Sequence, residues 1–103
     1  MLFINPAAEK FGGFVSRYVP VGIPVGIGFI CAYMEKHDIR CRVLDEEVET
    51  ITADRVREAL AGMPKPHVIG IGCLTAHVAR AYQLAQMIKA EIPDTIITVG
   101  GIH

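Results

Sequence analysis

Three stretches with chemical potential lie at the ends of apolar runs. Asn5-Pro6 closes Leu2-Phe3-Ile4, Gly72-Cys73-Leu74-Thr75 closes Val68-Ile-Gly-Ile, and Gly100-Gly101 closes Thr95-Ile-Ile-Thr-Val99. None of them pairs a nucleophile with a base or two acids with each other. All are small or polar, so they offer backbone N–H groups without bulk, and Thr75 is placed to cap a helix whose N-terminus adds partial positive charge. That chemistry is recognition rather than bond-making: a large flat ligand fits across such a rim with a polar tail beside it.

The run before Cys73 sharpens this reading. Side chains alternate along a strand, so Val68, Gly70 and Gly72 share one face while Ile69 and Ile71 share the other, and the first face is bare over its second half. Interior strand glycines mark the close approach of a ligand or of another part of the chain. The two possibilities here are a ligand groove and a first helix packed tightly through Gly26 and Gly28. The four histidines, His37, His67, His77 and His103, are scattered. His77 and His103 fall on the rim side and are the two candidate cofactor neighbours or ligands among them. Asp45, Glu46, Glu47 and Glu49 read as a solvated acidic loop.

Those residues need elements to hold them. Leu2 to Asn5 reads as a buried strand stopped by Pro6. The Pro- and Gly-containing stretch from Pro6 to Pro24 reads as a long loop, and loops of that length are usually functional or mobile. Val25 to His37 reads as a largely buried helix, Arg40 to Asp45 as a second strand. Thr52 is a plausible N-cap for a short helix with Val56, Ala59, Leu60 and Met63 on one face. His67 to Gly72 is a third strand, followed by a helix with the stripe Val78, Ala81, Tyr82, Ala85, Ile88 and Ile92, and Thr95 to Val99 is a fourth strand. Alternating strands and helices with near-continuous apolar strands predict an α/β, flavodoxin-like (Rossmann-like) three-layer fold on a parallel sheet of order 2-1-3-4, with ligands beyond the carboxyl ends of the strands. A fourth strand with no helix after it leaves an open edge, which reads as a domain truncated at its C-terminus or as an edge available for a homodimer.

Composition bounds the function further. The 103 residues, 51% hydrophobic and 20% charged, suit one folded domain, residues 1–103. A formal net charge of −1 leaves no basic surplus for nucleic acid or an anionic membrane. Proline and glycine interrupt the most apolar stretch, so no segment reads as spanning a bilayer, and no cationic leader opens the chain. Cys31, Cys41 and Cys73 lack CxxC spacing and read as reduced thiols in a cytoplasmic protein. A phospho-acceptor receiver needs acids where Asn5 and Gly72-Cys73 stand. A flavin phosphate loop needs Ser and Thr where Pro6-Ala-Ala-Glu9 stands. A dinucleotide fingerprint across Gly26-Ile-Gly28-Phe-Ile-Cys31, with Asp45 as ribose partner, is a weak third reading because Pro20 and Pro24 spoil the preceding strand.

In order, Ile4-Asn5-Pro6, Pro20-Val-Gly-Ile-Pro24, Tyr33-Met-Glu-Lys-His37, Val43-Leu-Asp45, Val68-Ile-Gly-Ile-Gly-Cys-Leu-Thr75, Pro93-Asp94 and Val99-Gly-Gly-Ile-His103 resemble the N-terminal cobalamin-binding domain of B12-dependent radical SAM enzymes. Anaerobic magnesium-protoporphyrin monomethyl ester cyclase-like proteins belong to that group. The resemblance implies a corrin over the strand ends, a nucleotide tail beside the third strand, and Asn5, Pro6, Gly70, Gly72, Cys73, Leu74, Thr75, Gly100, Gly101 and His103 as cofactor neighbours. It also implies that cobalt receives no lower histidine from the first loop, where the Asp-x-His-x-x-Gly of mutase-type domains is absent. The CxxxCxxC of an iron–sulfur cluster is absent too, so cluster and SAM belong to a missing part of a parent, and this chain is expected to bind rather than to catalyse. The alternative without a cofactor is a flavodoxin-like interaction or dimerisation module.

Overall fold

A computed structural model of the chain describes residues 1–7, 25–73 and 78–101. They form β1 (Leu2–Asn5), α1 (Val25–Lys36), β2 (Arg42–Asp45), α2 (Ala53–Leu60), β3 (Val68–Gly72), α3 (Val78–Glu91) and β4 (Ile96–Gly100). The strands pair in parallel in the order β2-β1-β3-β4, as the alternation of elements predicts. Among the described residues, no helix is long and apolar enough to cross a membrane.

Register decides which side chains share a layer. Ile4 stands opposite Leu44 on one side and Ile71 on the other, and Ile69 stands opposite Ile97. One face therefore carries Leu2, Ile4, Leu44, Ile69, Ile71 and Ile97, and against it lie Val56, Ala59 and Leu60 of α2 and Ala81, Leu84 and Ile88 of α3. Each such aliphatic side chain taken from water stabilises the fold by about 1.5–3 kcal/mol, which makes this layer the main source of cohesion. The opposite face carries Phe3, Asn5, Val43, Asp45, Gly70, Gly72 and Gly100, and Ile27 of α1 reaches it near Gly72.

Local chemistry sets the element ends. The Thr52 side chain accepts from the Arg55 N–H at 3.1 Å and starts α2. Thr95, expected in the fourth strand, instead turns inward before it: its hydroxyl donates to Ile92 O at 2.9 Å and the residue is buried. Arg40 and Cys41 precede β2 rather than opening it, because Arg40 O accepts from the Met1 ammonium, and pairing with β1 begins at Arg42.

Two helices differ from their expected faces. In α3 the buried row is Ala81, Leu84 and Ile88, whereas Tyr82 is 58% exposed. The apolar stripe is centred on Leu84, and Tyr82, a third of a turn away from Ala81, falls on its solvent side. Helix α1 is not largely buried: Phe29 is 74% and Tyr33 63% exposed, and Ile30 is exposed as well. A helix apolar all round can turn only one row to a sheet. That row is Ile27, Cys31 and Met34, spaced i, i+4, i+7, and these are its half-buried positions.

Candidate functional site

The carboxyl ends of the strands line up on one rung. Asn5 pairs with Asp45 and Gly72 with Gly100, while Ile4 pairs with Ile71, so Asp45, Asn5, Gly72 and Gly100 cross the sheet side by side on the α1 face. Among the described residues, a β-carbon at Gly100 would meet nothing within 4 Å, and one at Gly72 would make ordinary contacts with Ile27 Cδ1 at 3.7 Å, Ile4 O at 3.8 Å and Pro6 Cδ at 4.0 Å. The rim is thus low over β3 and β4 because two side chains are missing there, and this is a cradle that ordinary residues would fill.

Its floor is held tightly. Cys73 is buried, and its N–H donates to Gly100 O at 2.6 Å, continuing the β3–β4 ladder past the strand end. Gly101 has φ +137°, and a β-carbon there would lie 2.5 Å from Cys73 O. Only glycine fits that position, because the backbone conformation and the close approach both exclude a side chain. Pro6, at the end of β1, is buried beside Gly72.

Gly70 is different in kind from Gly72. Its missing side chain makes room for Phe3 on the neighbouring strand, whose Cδ1 and Cε1 would be 2.9 and 3.0 Å from a β-carbon there. The bare face of β3 is therefore filled by an aromatic ring at Gly70, whereas at Gly72 a side chain would meet only ordinary contacts among the described residues. The packing alternative, a first helix seated through Gly26 and Gly28, is not what occupies this face at Gly70; a ring on the neighbouring strand does so instead. Gly26 and Gly28 lie inside α1, are not buried, and among the described residues would meet nothing within 4 Å. They make no close helix–sheet contact, and, standing within a helix, they do not form the loop before a helix that a dinucleotide fingerprint requires.

The acidic stretch after β2 is not simply solvated. Asp45 Oδ1 accepts from Asn5 Nδ2 at 2.9 Å and from the Glu47 N–H at 3.0 Å. Glu46, with 10% of its side chain exposed, accepts from Arg80 Nε at 2.9 Å and Nη2 at 2.6 Å, and from the Ala7 N–H at 3.0 Å. Burial alone would push the Glu46 carboxyl up, but the hydrogen bonds from Arg80 and Ala7 outweigh it and hold the group below the ordinary 4.5. Glu49 pairs with Arg55 at 3.0 Å. The sequence signal for the Glu46 pair was a lone arginine in the first turn of α3, a helix that the right-handed crossover sets beyond the same edge as the acidic turn.

His37, His67 and Cys31 have partners away from the rim. The His37 ring lies 4.7 Å from that of Tyr33, and His67 Nε2 is 3.1 Å from Met63 O. Burial first, and the neighbouring Cys41 thiol second, push the Cys31 thiol up to about 11, so it stays protonated at neutral pH. Among the described residues there is no group of three or more residues that could hold a metal ion. Leu74, Thr75, His77 and His103 lie outside the described residues. The expected neighbours Asn5, Pro6, Gly72, Cys73, Gly100 and Gly101 do come together at one edge, and Gly70 lies one rung below under Phe3.

A family model described as a B12 binding domain matches residues 13–103. Anaerobic magnesium-protoporphyrin IX monomethyl ester cyclase of Rubrivivax gelatinosus is 25% identical over 104 residues, covering 100% of this chain and 18% of the relative. A 2-(S-pantetheinyl)-carbapenam-3-carboxylate methyltransferase of Streptantibioticus cattleyicolor is 25% identical over 79% of this chain and 12% of its own length. The cobalamin-dependent radical SAM methyltransferase TokK of Streptomyces tokunonensis is 22% identical over the same shares, 79% and 12%. The chain thus spans less than a fifth of these relatives' lengths. No solved structure matches.

Proposed function

The chain belongs to the B12-binding domain family, whose cofactor is cobalamin, and from that premise we propose that it is the cobalamin-holding module of a B12-dependent radical SAM enzyme. The observation that carries the reading is the lowered rim: Gly72 and Gly100 side by side at the carboxyl edge, with nothing among the described residues within 4 Å of Gly100 and ordinary contact distances at Gly72. A corrin macrocycle is broad, flat and fringed with amides, and it needs an edge without bulky side chains. Asn5, Pro6, Gly72, Cys73, Gly100 and Gly101 would hold it there, with Leu74, Thr75 and His103 as further neighbours, whereas Gly70, covered by Phe3, serves strand packing rather than the cofactor. The residues present fit the group: small residues make room, the Asn5 amide and Asp45 carboxylate offer polar partners, and Ile27 offers an apolar wall.

When bound, cobalamin supplies a cobalt centre able to carry a methyl group or take part in a radical step. The protein's own part is to bind, orient and exclude water. Iron–sulfur cluster and SAM chemistry belong on this reading to other parts of a longer chain, a view supported by relatives more than five times as long, and this domain alone is non-catalytic. Free Cys31, Cys41 and Cys73 favour a reducing, cytoplasmic setting. The net charge of −1 favours neither nucleic acid nor an anionic membrane as partner.

The test is a titration of the chain with hydroxocobalamin, followed in the visible spectrum and by calorimetry. Saturable one-to-one binding with a shift towards the base-off spectrum is the expected result; no binding at millimolar corrinoid would overturn the reading. A second reading, homodimerisation through the β4 edge, rests on the exposed Ile96 and Val99. A dimer in solution that binds no corrinoid would favour it.

A further inference from the structure

We propose that Glu46 is a positioning residue for the cofactor, joining the backbone just after β1 to the first turn of α3 and so setting the spacing of the rim. The inference rests on the cobalamin reading of that rim. Glu46 follows β2 directly, and its own N–H donates to Asn5 O at 2.9 Å, which places it on the rung of the candidate site. Its carboxylate then makes two separate kinds of contact. It receives the Ala7 N–H, which holds the chain one residue beyond the buried Pro6, and it receives the Arg80 guanidinium edge-on through Nε and Nη2. Arg80 is the third residue of α3, the helix that follows β3 and Cys73. One carboxylate thereby ties together the segments after β1, after β2 and after β3, all at the edge where Asn5, Gly72 and Gly100 align.

Stability alone is a weak reason for such a group. A partly buried ion pair gives up hydration for its mutual attraction, and apolar side chains of similar volume often hold a fold as well. Its distinguishing property is direction: two-point guanidinium contact and a backbone N–H fix the angle and separation of three segments. A ligand that bridges those segments is sensitive to shifts of about 1 Å in their spacing. Glu49 provides the comparison, since it belongs to the same acidic stretch and makes its own ion pair with Arg55 at 3.0 Å, on the α2 side of that turn.

The experiment compares the wild-type chain with Glu46→Gln, Arg80→Lys and Glu49→Gln. Hydroxocobalamin affinity and the base-off fraction in the visible spectrum are measured at a temperature where circular dichroism shows every variant folded. Expected is a loss of affinity of tenfold or more in Glu46→Gln and a smaller one, about threefold, in Arg80→Lys, which keeps the charge but not the two-point geometry. Glu49→Gln should bind as wild type does. Should Glu46→Gln fail to fold, Arg80→Lys against Glu49→Gln carries the same comparison. If the wild type binds and all variants match it, or if Glu49→Gln loses as much as Glu46→Gln, the positioning role is wrong while the cobalamin reading stands. If the wild type itself binds no corrinoid, the cobalamin reading fails and takes this inference with it.

Discussion

Gly101 and Cys73 meet backbone to backbone: a β-carbon on Gly101 would lie 2.5 Å from Cys73 O and 3.1 Å from its N. With the Cys73 N–H donating to Gly100 O, this contact closes the β3–β4 end of the candidate site. Gly101→Ala therefore forces the two strand ends apart. Its φ of +137° adds strain of about 1–3 kcal/mol for a residue with a side chain. Corrinoid affinity should fall by tenfold or more, measured by the hydroxocobalamin titration.

Gly100→Ala is the contrasting case. Among the described residues nothing lies within 4 Å of its β-carbon position, so the melting temperature should stay within about 2 °C of wild type, in line with the small effect of an uncrowded surface change. Loss of corrinoid binding at unchanged stability would then report a ligand over the rim, and unchanged binding would move the ligand away from it.

Gly70 and Gly72 separate packing from recognition along one strand. Gly70→Ala drives a methyl group against the Phe3 ring and should destabilise the fold by about 1–3 kcal/mol, as overpacking does. Combining it with Phe3→Leu should recover part of that loss in a urea titration. Gly72→Ala meets only contacts of 3.7 Å and beyond, so it should leave stability close to wild type while weakening corrinoid binding.

The Glu46 carboxyl predicts an acid dependence of stability. In the fold it is held below its ordinary value of 4.5, so the unfolded chain binds the proton more readily. Its contribution is complete above about pH 4.5 and is lost as pH falls through the folded value. Urea midpoints measured downward from pH 6 should drop below pH 4.5 in the wild type, and the slope there should be shallower in Glu46→Gln. Equal slopes would refute the assignment.

Breaking the same pair from the other side tests how much of it is structural. Arg80→Met removes the guanidinium and leaves the Glu46 carboxylate, 10% exposed, with only the Ala7 N–H. An uncompensated, mostly buried charge costs about 2–4 kcal/mol at neutral pH. That loss should shrink as the pH falls and the carboxyl takes up a proton, which paired urea titrations at pH 7 and pH 4 would show.

The sheet order and the rim residues were legible because they depend on local, periodic signals. Apolar runs of four or five residues broken by proline, glycine or a capping threonine specify strand, turn and helix, and the right hand of βαβ crossovers leaves little choice of order. Tyr82 and α1 depart from their expected faces because periodicity gives a stripe and not its centre: Tyr82, two residues before Leu84, comes out nearly opposite it on the helix, and α1 has apolar residues on more faces than the sheet can cover. The acidic turn was misread because composition cannot show that Arg80, 34 residues further along, arrives beside Glu46.

By itself, then, the sequence determined the α/β class, the strand order 2-1-3-4 and the gathering of Asn5, Gly72 and Gly100 at one edge, since alternation and chain direction require them. The tertiary structure alone decided which glycine is filled and which is open. Phe3 lies opposite Gly70 through strand register, Ile27 stops short of Gly72 through the placement of α1, and Glu46 is buried through a helix that returns to its side. Each of those outcomes depends on the distance between residues far apart in the chain, and only the packed fold sets that distance.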